Sequence, residues 1–175
     1  MIGGRNEHHQ AHGFSQSASG CAGDTTLAEL DEFELGVLKI ARHFFQAFAR
    51  PESHAWLDAF HEAERTFPAP FGATIAHAVV IAINAFRISR RRFFQFDKPN
   101  SPFGRRTITD CERYFILVLH HIRRRDWISA RAQALYLCEG NDTSGILAAF
   151  ERLAIITGDV TDLHFNRSSG SLDAA

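Results

Sequence analysis

Residues 109–122 read TDCERYFILVLHHI, and this stretch decides the fold predicted for the 175-residue chain. Thr109 and Glu112 have the spacing of a capping box, in which each side chain accepts a hydrogen bond from the other residue's backbone N–H at a helix start. The residues from Tyr114 to Ile122 are apolar on most sides of the helix that follows. A helix of this kind is normally buried, so we expect it in the interior of the protein.

Residues 71–86 form a second apolar stretch, FGATIAHAVVIAINAF, 16 residues long and interrupted by His77 and Asn84. A helix that spans a bilayer needs about 20 consecutive apolar residues. We therefore predict a second central helix, over residues 71–91, and no contact with a membrane. His77 is predicted to be a buried histidine bonded to a carbonyl group, because buried polar groups are normally hydrogen-bonded.

The sequence on both sides of these stretches also shows helical periodicity. Apolar residues recur at steps of three and four between Leu27 and Phe48, which predicts a first helix over residues 26–49, with Gly36 at a close contact between helices. Gly140 is predicted to end a later helix in the left-handed conformation. The further helices are predicted over residues 51–66, 126–139 and 143–157.

The chain is therefore predicted to be all-α. No segment alternates with a period of two between hairpin turns, and a length of 175 residues suits one domain. We expect a single compact domain of five or six helices over residues 26–165, with the two apolar helices at its centre. Residues 1–25 and 166–175 contain few large apolar side chains, so both segments are predicted to be disordered.

The predicted second helix carries the only pattern suited to a metal. His54, Asp58 and His61 are spaced to share one helix face, which is acceptable spacing for metal ligands. The apolar side of the same helix is predicted to consist of Trp56, Leu57, Phe60 and Phe67. Because the histidines lie opposite that side, a solvated polar face is the preferred interpretation, and no metal or other cofactor is predicted.

Three cysteines, Cys21, Cys111 and Cys138, are widely spaced and form no C-x-x-C motif. Free thiols in a reducing compartment account for them, and the N-terminus lacks the apolar region of a secretory signal, so a cytoplasmic location is expected. Cys111 lies in the first turn of a predicted helix, where the helix dipole favours the thiolate. It is therefore the candidate reactive thiol, and a small apolar filler is the alternative.

The charges of the chain are segregated. Residues 87–131 contain 12 basic and four acidic residues, a formal charge of +8 in a protein whose net charge is −1. Residues 24–64 carry nine acidic and three basic residues. A basic surface of this kind attracts phosphates, but it can equally dock on the acidic helices of the same chain or of a second copy.

The candidate anion-binding residues flank the connection between the third and fourth helices. Arginine suits bidentate contact with phosphate or carboxylate. The candidates are Arg90, Arg91, Arg92, Arg105 and Arg106. Between them lie Phe93, Phe94 and Phe96, which are predicted either to cover the core or to contact a partner, including stacking on unpaired bases.

No nucleotide-binding loop, nucleophile elbow or pair of buried acids is recognisable in the sequence, which argues against an enzyme. The leading hypothesis is a small, non-catalytic helical protein that acts through contacts with another protein or with its own copy as a homodimer. The second is a regulator that binds nucleic acid or another polyanion through the arginines. A redox sensor or enzyme centred on Cys111 is the third, and binding of a small anion also stays open.

Overall fold

The computed structural model describes residues 14–16, 30–99 and 108–169, with side chains over 30–99 and 108–156. Within these ranges the protein is a single helical domain, as predicted. Its helices are α1 (Glu32–Ala49), α2 (Ala55–Thr66), α3 (Phe71–Ser89), α4 (Asp110–Arg123), α5 (Trp127–Leu137) and α6 (Ser144–Ser169). Two three-residue strands, β1 (Phe14–Gln16) and β2 (Phe94–Phe96), complete the described elements.

Helix α1 begins six residues later than predicted, at Glu32. Asp31 and Glu34 form a capping box: the Asp31 carboxylate accepts from Glu34 N–H at 2.8 Å, and the Glu34 carboxylate accepts from Asp31 N–H at 3.1 Å. The capping box fixes the start of the helix at this position. The apolar spacing on its N-terminal side does not extend the helix further. The close contact predicted at Gly36 is present, since a Cβ there would lie 2.8 Å from the Phe67 ring.

Helix α2 also begins later than predicted. Pro51 opens a short 3-10 turn, Pro51–Ser53, and His54 then has a φ of +53°. His54 therefore lies before the helix, off the face that carries Asp58 and His61. The buried side of α2 consists of small residues and one acid, namely Ala55, Ala59, Glu62 and Ala63.

Trp56 and Leu57 are exposed by 49% and 43%, so the predicted apolar side of α2 was wrong at both positions. Alanines face inward instead because α1 and α3 both pack closely on this helix. The closest approach is at Gly72, where a Cβ would lie 2.8 Å from the Glu64 Cα.

Helix α3 is only partly surrounded, in contrast to the prediction that it is buried on all sides. Its inner face packs on α1, α2 and α6, and its outer face exposes Thr74, His77, Ile81, Asn84 and Ile88. His77 is therefore a surface residue and not the predicted buried histidine. In the described ranges α3 is the one helix that is long and apolar enough to cross a bilayer, and 44% of it is buried inside the domain.

Helix α4 begins with the predicted capping box. The Thr109 hydroxyl accepts from Glu112 N–H at 3.2 Å, and the Glu112 carboxylate accepts from Thr109 N–H at 2.9 Å. Gly140 has the predicted left-handed conformation, with a φ of +78°. Its N–H donates to Leu135 O at 2.9 Å, as at a helix C-terminus of the Schellman type.

The ends of the domain differ from the prediction in two places. Strand β1, within the segment predicted to be disordered, pairs with β2 in parallel, Phe14 opposite Phe94. Helix α6 continues through residue 165, the predicted domain end, to Ser169. The rest of residues 1–25 and the tail from residue 170 lie outside the described residues.

The core is built around Phe45 of α1. Its ring centroid lies 4.4 Å from that of Phe94, 5.5 Å from Phe115 and 5.7 Å from Phe96. All four rings are fully buried, and aromatic pairs at such distances add to the free energy of burial. Phe94 and Phe96 therefore anchor β2 in the interior, which fixes the positions of the described residues next to this strand.

Candidate functional site

Arg90 faces the protein interior, not a ligand. Its side chain is 8% exposed and pairs with Glu139 at 3.1 Å. It also donates to Leu137 O at 2.8 Å, the last carbonyl of α5, and to Phe93 O at 3.3 Å. Its guanidinium joins the end of α3 to the end of α5, so Arg90 leaves the candidate anion-binding set.

A second group of arginines lies at the C-terminal end of α4 and pairs with acidic residues at the start of α1. Arg123 donates to Asp31 at 2.6 Å and to Glu34 at 2.9 Å, and Arg124 donates to Glu34 at 3.1 Å. The His120 ring lies 3.2 Å from the same Glu34 carboxylate, which is fully buried. The acidic start of α1 thus satisfies the basic end of α4, as the internal docking alternative predicts.

Burial alone would raise the pKa of Asp31, but the hydrogen bond from Glu34 N–H and the Arg123 guanidinium outweigh it and hold the pKa below its ordinary value. The charged form of Asp31 is therefore favoured in the folded protein.

A third ion pair is fully internal. Arg42 of α1 donates to Glu112 of α4 through Nε at 2.7 Å and Nη2 at 3.1 Å. Glu112 also accepts from Asp97 N–H at 3.2 Å, and the Asp97 carboxylate lies 3.7 Å from Arg42. The same Glu112 completes the capping box with Thr109, so one carboxylate joins α1, the segment after β2 and α4.

Arg91 and Arg92 differ from these internal arginines. Their backbone N–H groups donate to Glu139 at 3.1 and 3.2 Å, which fixes the backbone, while both side chains are exposed. Neither forms an ion pair with any residue in the described ranges. Together with Leu135, Tyr136, Gly140 and their neighbours they line an open pocket of about 540 Å³.

The three phenylalanines of the basic segment separate into two roles. Phe94 and Phe96 are fully buried against Phe45, so their rings cover the core and do not stack on a partner. Phe93 is 63% exposed and stays a candidate contact residue. Of the three rings, only that of Phe93 is open to a partner.

Helix α5 presents an apolar outer face next to the pocket. Ile128 is 87% exposed, Leu135 44% and Tyr136 64%. On the same face Arg131 and Ala132 are also exposed, whereas Ala130, Ala134 and Leu137 face the core. We call Ile128, Arg131, Ala132, Leu135 and Tyr136 the α5 face.

The Tyr136 ring is held rigidly at one edge of the α5 face. It stacks on Tyr114 of α4 with centroids 5.3 Å apart and an interplanar angle of 19°. The Arg113 guanidinium lies 5.1 Å from the Tyr114 ring. Tyr136 is therefore a fixed aromatic contact beside Arg91 and Arg92.

Sequence reasoning missed the α5 face, although a signal was present. In the helix sequence WISARAQALYL, Ala130 and Ala134 lie one turn apart and face the core with Leu137, whereas Ile128, Leu135 and Tyr136 lie on the opposite side. In a short helix at the surface, a pair of alanines one turn apart can mark the side of closest packing, and the large residues then remain outside.

The remaining candidate residues are not joined to this surface. Arg105 and Arg106 lie outside the described residues. Cys111 is a half-buried free thiol, with Arg90 Nη2 4.0 Å from its sulfur, and its reactivity stays a prediction. Burial raises the pKa of the Cys138 thiol, and the nearby Ser89 and Arg90 only partly offset this. Within residues 30–99 and 108–156, no three His, Cys, Asp or Glu side chains are grouped so that they could hold a metal ion. His54, Asp58 and His61 are among the side chains that do not form such a group.

The candidate site is thus the α5 face with Arg91 and Arg92 at its C-terminal end, together with the exposed Phe93 that follows them in the chain. Comparison with models of protein families, with curated proteins and with solved structures finds no significant match to this chain.

Proposed function

We propose that this protein is a non-catalytic helical module that acts by binding another protein through the α5 face and the adjoining Arg91, Arg92 and Phe93. The observation that supports it is the coincidence of exposed apolar side chains and unpaired arginines on one surface. Interfaces are enriched in Tyr, Phe and Arg relative to the rest of a protein surface, and these are the residue types exposed there.

The alternative function, binding of nucleic acid or another polyanion, has less support. Arg90 of the candidate set pairs with Glu139, and Arg123 and Arg124 at the end of α4 pair with Asp31 and Glu34, so these three basic side chains are already engaged within the chain. Ile128 and Leu135 also offer nothing to a phosphate backbone, which is the main determinant of affinity for nucleic acids.

A cytoplasmic location belongs to the same proposal. Cys111 and Cys138 are both free thiols, which suits a reducing compartment.

Site-specific photocrosslinking tests the proposed function. A photoreactive amino acid replaces Ile128 in one version of the full chain and Tyr136 in another, and replaces Ile88 on the outer face of α3 in a control, since Ile88 is 79% exposed. We expect adducts from positions 128 and 136 with a protein that then binds the purified chain. An adduct of twice the chain mass identifies a homodimer. Equal adducts from all three positions, or none, contradict the proposal.

A further inference from the structure

We infer that the partner of the α5 face is an acidic amphipathic helix, one that carries carboxylates beside a stripe of apolar residues. This inference rests on the proposed function and specifies the chemistry of the partner. It follows from the spacing of the apolar residues, from the sign of the unpaired charge and from the charges on the chain's other exposed helices.

The apolar residues on α5 have the spacing of a helix–helix contact. Ile128 and Leu135 are seven residues apart, which is two helical turns or about 10.5 Å, and Tyr136 lies beside Leu135. A partner helix with apolar residues at i, i+4 and i+7 has the same spacing and can pack along this line. The small side chain of Ala132, between Ile128 and Tyr136, leaves room for one of its residues.

The pocket at the C-terminal end of the α5 face can hold one large anchor residue of the partner. Leu135 and Tyr136 are its large apolar lining residues, and Arg91, Arg92 and Glu139 are its charged ones. Gly140 leaves the pocket wall open, since a Cβ there would have no heavy atom within 4 Å. Anchors in pockets of this kind contribute most of the binding energy at interfaces.

The unpaired charge on this surface is positive. Arg91, Arg92 and Arg131 are exposed and form no ion pair with a described residue. The nearest carboxylate, Glu139, already pairs with Arg90 and accepts from two backbone N–H groups. Complementarity of charge therefore requires carboxylates on the partner, on both sides of its apolar stripe.

A second copy of the chain is a poorer fit to this surface. On α2 the exposed large apolar residues, Trp56 and Leu57, are adjacent in the sequence, so they do not form a stripe at i, i+4 and i+7. Arg65 pairs with Glu62, which leaves Asp58 and Glu64 as the exposed acids of this helix. An acidic helix with a continuous apolar stripe is therefore favoured over self-association.

Fluorescence anisotropy with the full chain tests the inference. The probe is a synthetic 18-residue helical peptide with leucines at i, i+4 and i+7 flanked by glutamates. One control peptide replaces each glutamate by lysine, and another has the same composition in an order without the apolar stripe. A 12-nucleotide oligo(dT) tests the polyanion alternative, and light scattering tests self-association. We expect binding of the acidic striped peptide alone.

Matched variants locate the binding site. Ile128→Ser is expected to lower the affinity for the acidic peptide by about tenfold, since burial of an isoleucine side chain contributes at least that much. The double variant R91Q/R92Q is also expected to lower this affinity by about tenfold. The controls Ile88→Ser on α3 and Arg152→Gln on α6, both exposed in the wild type, should bind normally. All five positions are exposed, so these four variants should retain the fold.

Several results overturn the inference. These are equal binding of the lysine or reordered peptide, tighter binding of oligo(dT), a concentration-dependent dimer that excludes the peptide, or equal losses in the control variants. If photocrosslinking from position 128 yields a partner that binds in purified form while the acidic peptide does not bind, the proposed function stands and the acidic helix is refuted. If neither occurs, both fail.

Discussion

Replacing Glu112 tests whether the internal ion pair, and not only apolar packing, holds α4 against α1. Glu112→Ala removes four hydrogen bonds to the carboxylate, from Arg42 (two), Asp97 N–H and Thr109 N–H. It also leaves the guanidinium of Arg42, whose side chain is 6% exposed, facing the Asp97 carboxylate at 3.7 Å. Glu112→Gln retains the shape and the capping box, since glutamine is accepted at that position, but removes the negative charge.

The expected magnitudes separate the two variants. Breaking a buried ion pair from one side typically costs about 3–5 kcal/mol, and loss of the helix cap adds about 1 kcal/mol. We expect Glu112→Ala to lower the free energy of unfolding by about 4–6 kcal/mol and Glu112→Gln by roughly half as much. The double variant Arg42→Met/Glu112→Gln should lose less stability than the summed losses of the single variants Arg42→Met and Glu112→Gln. The reason is that the double variant leaves no unpaired charge.

Urea unfolding followed by circular dichroism gives these values, with Glu151→Ala on the exposed side of α6 as the control. For a chain of this size each kcal/mol also lowers Tm by about 2–4 °C, so Glu112→Ala should melt roughly 8–24 °C lower. A loss below about 1 kcal/mol, equal to that of the control, would refute the reasoning. Strict additivity in the double variant would show that Arg42 and Glu112 do not interact.

Three further substitutions have an expected direction of effect on stability. Gly72→Ala is expected to destabilise the protein by about 1–2 kcal/mol in urea unfolding, because its Cβ would lie 2.9 Å from Ala63 O and overpacking exceeds the gain in helix propensity. Gly145→Ala, whose Cβ meets its nearest neighbour only at 4.0 Å, should be neutral or stabilising, and the reverse order contradicts the packing described. Because the folded-state pKa of Asp31 lies below its unfolded value, its contribution is complete above that value and is lost as pH falls through roughly 4 and below. Asp31→Asn should flatten the acid limb of stability against pH, and an unchanged limb would show that the pair with Arg123 contributes nothing.

Local chemistry made parts of the fold predictable. The capping box at Thr109 and the left-handed Gly140 depend on residues close in the sequence, and both are present. The start of α1 depends on the same kind of signal, the box formed by Asp31 and Glu34. It was missed because Leu27 and Leu30 continue the apolar spacing before the cap and lengthen the apparent helix.

Tertiary packing determined what could not be predicted. Arg123 and Asp31 lie 92 residues apart and Arg42 and Glu112 lie 70 apart, so sequence indicated an acidic and a basic segment but not which arginines would be paired. The inner side of α2 was misassigned for the same reason. Large residues usually face the core, but there the close approach of α1 and α3 places alanines at three of the four buried positions of α2.

What distinguishes the α5 face is a coincidence that neither charge nor hydrophobicity predicts alone. Single exposed isoleucines are common on protein surfaces, and so are exposed arginines. Arg90 satisfies the end of α5 and pairs with Glu139, so among the described residues Arg91 and Arg92 have no ion-pair partner although they lie beside Leu135 and Tyr136. The internal pairing of one arginine thus places the unpaired charge of the next two beside exposed apolar side chains of α5.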